Sequence, residues 1–576
     1  MKSKNYFFNL FYLFIISSLL FVTSCQKEAK DTKSEEVLKM EQEFLGFVKE
    51  YEAKMKPAYK NMALSYFEAS INSNEENWKK YAENEKLMNS ILADKEAFGR
   101  LKKIKESNLI KDEILQRHLT VLYNTFLSKQ IDIEKLNKLT EMQSNLENKY
   151  SNFRTVVGGK KLSDNDVEEI LKKSTNTKEL ENVWMSQKKI GSLVAKDILE
   201  IVKLRNEVAR ELGFKNFHEM SLKLSEQDPQ EIEKLFDELD NLTRDAFRQE
   251  KEQMDKVLAE RLKIKPEELM PWHYQNRFFQ EAPRIYDVDL DKYYEKVDIV
   301  AAAVKYYKGL NLPIDDLVEK SDLFEKENKN QHAYCINIDR DAKDIRVLCN
   351  IKQTTRWMET TLHEYGHAIY EKYLGDDLPW DLKQPSHIFT TEAIAMLFGR
   401  QATNPEWMAK MIDLPDSDKN AISDACFKTL RLQQLVFSRW SQVMYRFEKS
   451  LYENPDQDLN KLWWDLVEKY QMIKRPAGRN EPDWATKIHI ATSPCYYHNY
   501  HMGELFASQL YFTLADKALK TKETKNLSFA YSPEVGKFLI ENVFKPGAKY
   551  YWNDMIEKAT GEKLTAKYYA KQFVSN

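Results

Sequence analysis

Three residues of the segment 351–371, IKQTTRWMETTLHEYGHAIYE, could carry metal chemistry: His363, Glu364 and His367, in the pattern H-E-x-x-H. Residues four apart on a helix share a face, one turn along. Two imidazoles so placed can converge on one zinc ion, and the intervening glutamate projects toward the water that zinc activates. The surrounding residues favour a helix. Met358, Leu362, Tyr365, Ile369 and Tyr373 recur at helical spacing, and no Pro falls between Gln353 and Leu378. Gly366 is the one poor helix former, and without a side chain it lets another segment come close. The alternative is a charged surface helix with two ordinary histidines, since so short a pattern also arises by chance.

A catalytic zinc needs a third protein ligand and an open fourth position. Metzincins carry Gly and His where this chain has Tyr370 and Tyr373, which excludes that class. Glu371 lies two turns from His363, about 12 Å along the axis, too far for one ion to bond both. The stretch LGDDLPWDLKQPS, with Pro379 and Pro385, reads as a loop. A second helix then opens around residues 386–391. On it stands Glu392, 25 residues after His367, among Ala393, Ile394, Ala395 and Met396. A carboxylate in so apolar a stretch needs a partner. Zinc would serve. Pairing with Arg400 or Arg356 is the alternative, and His387 competes as third ligand.

HEYGH followed by TEAIA resembles the angiotensin-converting-enzyme family of zinc peptidyl dipeptidases, in its bacterial members. Further stretches resemble it in order: HAY at 332–334, KLWWDLVEKYQ at 461–471, KIHI at 487–490, YYHNY at 496–500, and Trp552 through Thr560-Gly561. The matches run from about residue 130 to the C-terminus. The resemblance implies a deep central cleft and one zinc per chain, held by His363, His367 and Glu392, with Glu364 as general base. It implies oxyanion donors in Tyr500, then His489. It also implies a clamp of Lys487 and Tyr497 on the substrate's terminal carboxylate, with Gln275 in a supporting place. His332 and Ala333 would hold the peptide backbone. The expected activity is release of dipeptides from the C-terminus of oligopeptides. A related helical zinc oligopeptidase or carboxypeptidase is the runner-up, and a catalytically silent peptide-binding lipoprotein is a third reading. Intact Glu364 argues against the last, since binding alone has no need of a base.

Four departures from the family stand out. The tyrosine segment needs a one-residue insertion after His489. Asn499 replaces an Arg that binds chloride in animal members, so chloride activation is not expected. Met396 replaces an Asp one turn after the glutamate ligand, so a supporting partner must come from elsewhere. Gln331 stands in place of a Cys that would pair with Cys349.

The elements that must position these residues read as helical. Only 15 Gly and 16 Pro occur in 576 residues, and long amphipathic stretches dominate. The expected fold is mainly α, one large helical body with a small β hairpin beside the zinc helix. With 42% hydrophobic residues, including 29 Phe, 30 Tyr and 11 Trp, a substantial core can form. Helical patterns cover 37–56, 58–72, 77–106, 108–129, 131–153, 163–172, 176–213 and 229–264, the last opened by Asp228-Pro229. Strand signals fall at 331–339 and 345–351, and such a hairpin could offer an edge to an extended peptide. The 87 basic and 90 acidic residues are interspersed, for a net charge of −3, with no nucleic-acid face. We expect a monomer.

Residues 1–25 read as a targeting segment. Lys2 and Lys4 precede an apolar run, and Val22-Thr23-Ser24-Cys25 resembles a bacterial lipobox in which Cys25 is lipidated. Residues 26–36 are a polar tether and 37–576 the catalytic domain, which would face an extracytoplasmic space of the cell envelope. Of the remaining cysteines, Cys335 and Cys349 flank the expected hairpin turn, and Cys426 and Cys495 stand apart. Four are too few for a disulfide scaffold, and free buried thiols are the preferred reading.

Overall fold

The computed structural model describes residues 7–286 and 288–574, with side chains from residue 35 onward. The leader, Cys25 and most of the tether lie outside the described side chains. The chain is 69% helical, and its described strands form two small antiparallel hairpins. These are β1 (Thr155–Val157) with β2 (Lys160–Leu162), and β3 (Tyr334–Asp339) with β4 (Asp344–Leu348). Among the described residues no helix is long and apolar enough to cross a membrane. The contacts form two compact units, Met1–Tyr59 with Glu85–Gln130, and Lys60–Asn84 with Ile131–Asn576.

In the smaller unit Phe44, Phe47, Tyr51, Leu101, Ile104, Leu122 and Phe126 make an apolar centre. Asp94 and Asp112 cap the helices Lys95–Ser107 and Glu113–Leu127 by accepting hydrogen bonds from the backbone N–H groups of the first turn. The Asp94 cap is why the expected 77–106 stretch is two helices, Glu75–Leu92 and Lys95–Ser107. Conversely, the first helix, Phe7–Ile71, runs on through Pro57 where a break was expected. Pro57 forfeits one helical bond, and Met55 and Ala58 on either side of it are buried.

The larger unit holds the motifs. The histidine helix, Thr355–Lys372, is capped by Thr354. It packs against the glutamate helix, Ile388–Gly399, which packs in turn on the tyrosine helix, His498–Thr513. Two glycines let these axes approach. A Cβ at Gly366 would stand 2.8 Å from the Ala395 Cα, and one at Gly503 would stand 3.2 Å from the Glu392 Cβ. The close approach expected at Gly366 is thus against the very helix that bears Glu392. The long helix Pro229–Leu262 begins at its Asp228 cap, as its sequence indicates.

The β3–β4 hairpin is shorter than the strand pattern suggested. His332 and Ala333 precede β3, and the His332 N–H is taken by the Asn330 side chain at 2.9 Å. Residues 321–323 cover the outer edge of β4, with Asp322 donating to Val347 O and accepting from Cys349 N, both at 2.9 Å. Register places Cys335 opposite Val347, so Cys335 and Cys349 do not face one another and all four described cysteines are free. The β1–β2 hairpin was not foreseen. Its signal was present in Gly158-Gly159, both at positive φ, the two-residue turn that matches strand twist.

Candidate metal centre and peptide site

His363 Nε2 and His367 Nε2 lie 3.3 Å apart. Glu392 Oε2 stands 3.7 Å from the first and 4.0 Å from the second. Among the described residues these three form the one cluster of His, Cys, Asp or Glu able to share an ion, with all donor atoms within 4.8 Å. Bonds of about 2.0–2.1 Å to a tetrahedral zinc set its ligands about 3.3 Å apart. The imidazole pair has that spacing, and the carboxylate is slightly wider. Burial holds His363 down to about 4 and His367 well below its ordinary value, so both rings are neutral. With both rings neutral, each Nε2 can offer a lone pair to a shared cation. The donor set therefore fits zinc.

Thr391 supports the set. Its Oγ1 is 2.7 Å from His367 Nδ1, a hydrogen bond that orients the ring with Nε2 toward the cluster. This answers the substitution at Met396, since the orienting group comes from the residue before Glu392. The competing ligand His387 is turned away. It caps the glutamate helix, accepting from Phe389 N at 3.3 Å, and its ring meets Phe389 and Trp552. Arg400 pairs with Glu504, so it does not neutralise Glu392. Glu371 is occupied by Asn337 Nδ2 at 2.9 Å.

Glu364 is 7% exposed and accepts a hydrogen bond from the Cys335 backbone N–H on β3. Burial, then the neighbouring Glu392 carboxylate, push its proton affinity up to about 8. Burial, then Glu504, raise Glu392 to about 7. A cation at the cluster would lower both. Tyr496 and Tyr500 both feel the charge of Glu392, and the Tyr500 phenol is kept protonated by burial and by that charge. His489 is neutral, held down to about 4 by burial and by Lys487, and its ring packs edge-on at 5.3 Å against Tyr497.

Lys487 is 6% exposed. Its ammonium donates to Gln280 Oε1 at 2.7 Å and stands over the rings of Phe278, Tyr497 and Trp440 at 5.1, 5.3 and 5.6 Å. Burial, then Arg277, lower its proton affinity to about 7. Trp440 Nε1 donates to Tyr497 Oη at 2.8 Å, and Trp463 of the paired tryptophans packs on Trp440. Tyr497 in turn meets Tyr500, ring centroids 5.3 Å apart. Lys487 and the Glu392-facing tyrosines are therefore joined through one ring.

Gln275 does not belong to this site. Its amide bonds to Lys172 O at 3.2 Å and accepts from Arg284 N at 2.9 Å. Gln280 takes the place beside Lys487 that Gln275 was expected to support. Positive φ at Gln275 and again at Phe279 turns the chain between them, so spacing from Trp272 says little about which glutamine faces inward. Gln280, Phe278, Trp440 and Thr391 were all missed. Gln280 and Phe278 stand in the aromatic, poorly periodic segment 270–283, MPWHYQNRFFQEAP, and that composition was the available signal. Asn499 is buried and accepts from Gln227 Nε2 at 2.7 Å.

Comparison with known proteins adds the lineage. The angiotensin-converting-enzyme family profile matches residues 38–573. The angiotensin-converting enzyme of Theromyzon tessulatum is 28% identical over 237 residues, 39% of this chain and 37% of that protein. That of Bos taurus is 22% identical over 425 residues, 69% of this chain and 32% of that protein. That of Oryctolagus cuniculus is 25% identical over 273 residues, 45% of this chain and 20% of its own length. The chain thus spans about a third or less of the length of these relatives. With the profile covering nearly all of it, the chain belongs to the angiotensin-converting-enzyme family.

Proposed function

We propose that this protein is a zinc-dependent peptidase that releases dipeptides from the C-terminus of oligopeptides. One observation carries the reading: a three-donor metal set and a buried, aromatic-caged ammonium are linked through Tyr497 and Tyr500. A zinc ion held by His363, His367 and Glu392 would supply Lewis-acid polarisation of the scissile carbonyl and acidify water. Glu364 takes a water proton on its carboxylate and passes it to the departing amine. Its bond from Cys335 N keeps the carboxylate oriented while it does so. Tyr500 donates from Oη to the carbonyl oxygen as charge develops there, with His489 as the further donor. Lys487 receives the terminal carboxylate of the substrate, so the chain end is measured from a fixed point.

Gln280 holds the ammonium in place until the carboxylate arrives. Ala333, just before β3, and the carbonyl of His332, whose N–H is already taken by Asn330, would offer backbone to an extended peptide. We further propose that Cys25 is lipidated and that the body faces an extracytoplasmic space. Loss of lipid labelling in Cys25→Ser tests this, and labelling that persists overturns it.

The test of the activity is product analysis on N-blocked peptides with free or amidated C-termini. Dipeptides released from the free acids, with the amides cut poorly, support the reading. Internal cleavage of both forms alike replaces it with an oligopeptidase.

A further inference from the structure

A cavity of about 460 Å³ lies in the larger unit beside the end of the glutamate helix, and none of His363, His367 and Glu392 lines it. Its walls are apolar: Pro405, Phe427, Leu430, Phe512 and Phe573. Its charged lining is all basic. Arg400, Lys525 and Lys571 line it, and among the described residues no Asp or Glu does. Lys525 and Lys571 are exposed, and the Lys571 ammonium rests 4.1 Å over the Phe512 ring.

The polar groups of the cavity divide into used and unused. Asn404 Nδ2 bonds to Asn526 O and Leu527 O, both at 3.1 Å, and Tyr511 Oη donates to Thr524 O. Thr403 Oγ1 donates to Arg400 O at 3.1 Å. Arg400 is 8% exposed and places Nε on Met396 O and Nη2 on Glu504. Its Nη1 is buried with no partner, and so is Gln572 Oε1. An unpaired buried guanidinium nitrogen is costly, and native proteins rarely leave one without a ligand or water to receive it. Glu504 balances one charge of Arg400, which leaves the two lysines uncompensated at the lining.

We infer that this cavity is a second binding site, for an amphipathic monocarboxylate such as a medium-chain fatty acid. The apolar walls take the hydrocarbon body, and a pocket of this size lies within the range for small ligands. The carboxylate meets Lys525 and Lys571. A neutral apolar molecule would leave both lysines unanswered.

Calorimetric titration of the whole chain with decanoate tests the inference. The expected result is saturable binding near one molecule per chain. The double variant Lys525→Glu, Lys571→Glu changes two exposed residues and should fold normally by circular dichroism, while weakening decanoate by at least about tenfold. Decanol, with the same body and no charge, should bind at least about tenfold more weakly. Lys487→Ala should leave decanoate binding unchanged. No saturable binding, or equal binding of decanol, overturns the inference. So does loss of binding in Lys487→Ala, which would place the carboxylate in the peptide site.

Discussion

Replacing Lys487 tests both the clamp and its electrostatics. In the empty site the ammonium has one hydrogen-bond partner, Gln280, and three aromatic faces. These do not replace water, and its proton affinity falls from 10.5 to about 7. That drop corresponds to about 5 kcal/mol for holding the charge in the free protein. A substrate carboxylate restores the missing counter-charge, so free acids should bind the protonated form. Above about pH 7 the empty site loses its proton, and the affinity for free acids should fall about tenfold between about pH 6 and about pH 8. Amidated peptides should show no such fall. Lys487→Ala should flatten the profile and remove about 2–3 kcal/mol of the free-acid advantage, a 30- to 150-fold loss in kcat/KM by the scale of a charged hydrogen bond. The stability effect has a definite sign. A lysine with lowered folded affinity destabilises the fold most below about pH 7 and ceases to do so as pH rises toward its unfolded value. Lys487→Met should therefore raise Tm more at about pH 6.5 than at about pH 9.5. The assay is kcat and KM for paired acid and amide tripeptides across that range, with thermal melts beside it. An unchanged acid-to-amide ratio in Lys487→Ala, or an equal Tm gain at both pH values, would refute the reasoning.

The other predictions concern the metal centre. Metal analysis should find about one zinc per chain, lost in His363→Ala, His367→Ala; stoichiometric zinc in that variant would sink the ligand assignment. Thr391→Ala should weaken zinc retention about 10–100-fold in a chelator competition, because His367 loses its orienting partner; equal retention would leave the Met396 substitution uncompensated. Glu364→Gln should keep zinc and the melting profile but lose turnover by several orders of magnitude, and retained turnover would point to another base. Tyr500→Phe should lower kcat by about a hundredfold with little change in KM. An unchanged kcat would move the donor role to Tyr496, which also faces Glu392.

What the amino-acid order determined by itself is local. The four-residue spacing of His363 and His367 put both rings on one helical face before any fold was known, because helix periodicity is a property of neighbouring residues. Asp228-Pro229 marked a helix start for the same reason. Glu392 and His387 were the candidates for a third ligand, with arginine pairing the other role open to Glu392, and packing decides which of the two reaches the histidine pair. Gly366 admits Ala395 and so brings Glu392 to the rings, while the His387 ring is committed to its cap. Gln280 rather than Gln275 meets Lys487 because two positive-φ residues redirect an irregular segment that has no period to read. Likewise the β3–β4 register, which separates Cys335 from Cys349 and turns Cys335 N–H onto Glu364, is set by the pairing of strands. Residues near in sequence share a geometry that the chain imposes. Residues far apart meet only where shapes, turns and buried polar groups agree, and that agreement belongs to the folded whole.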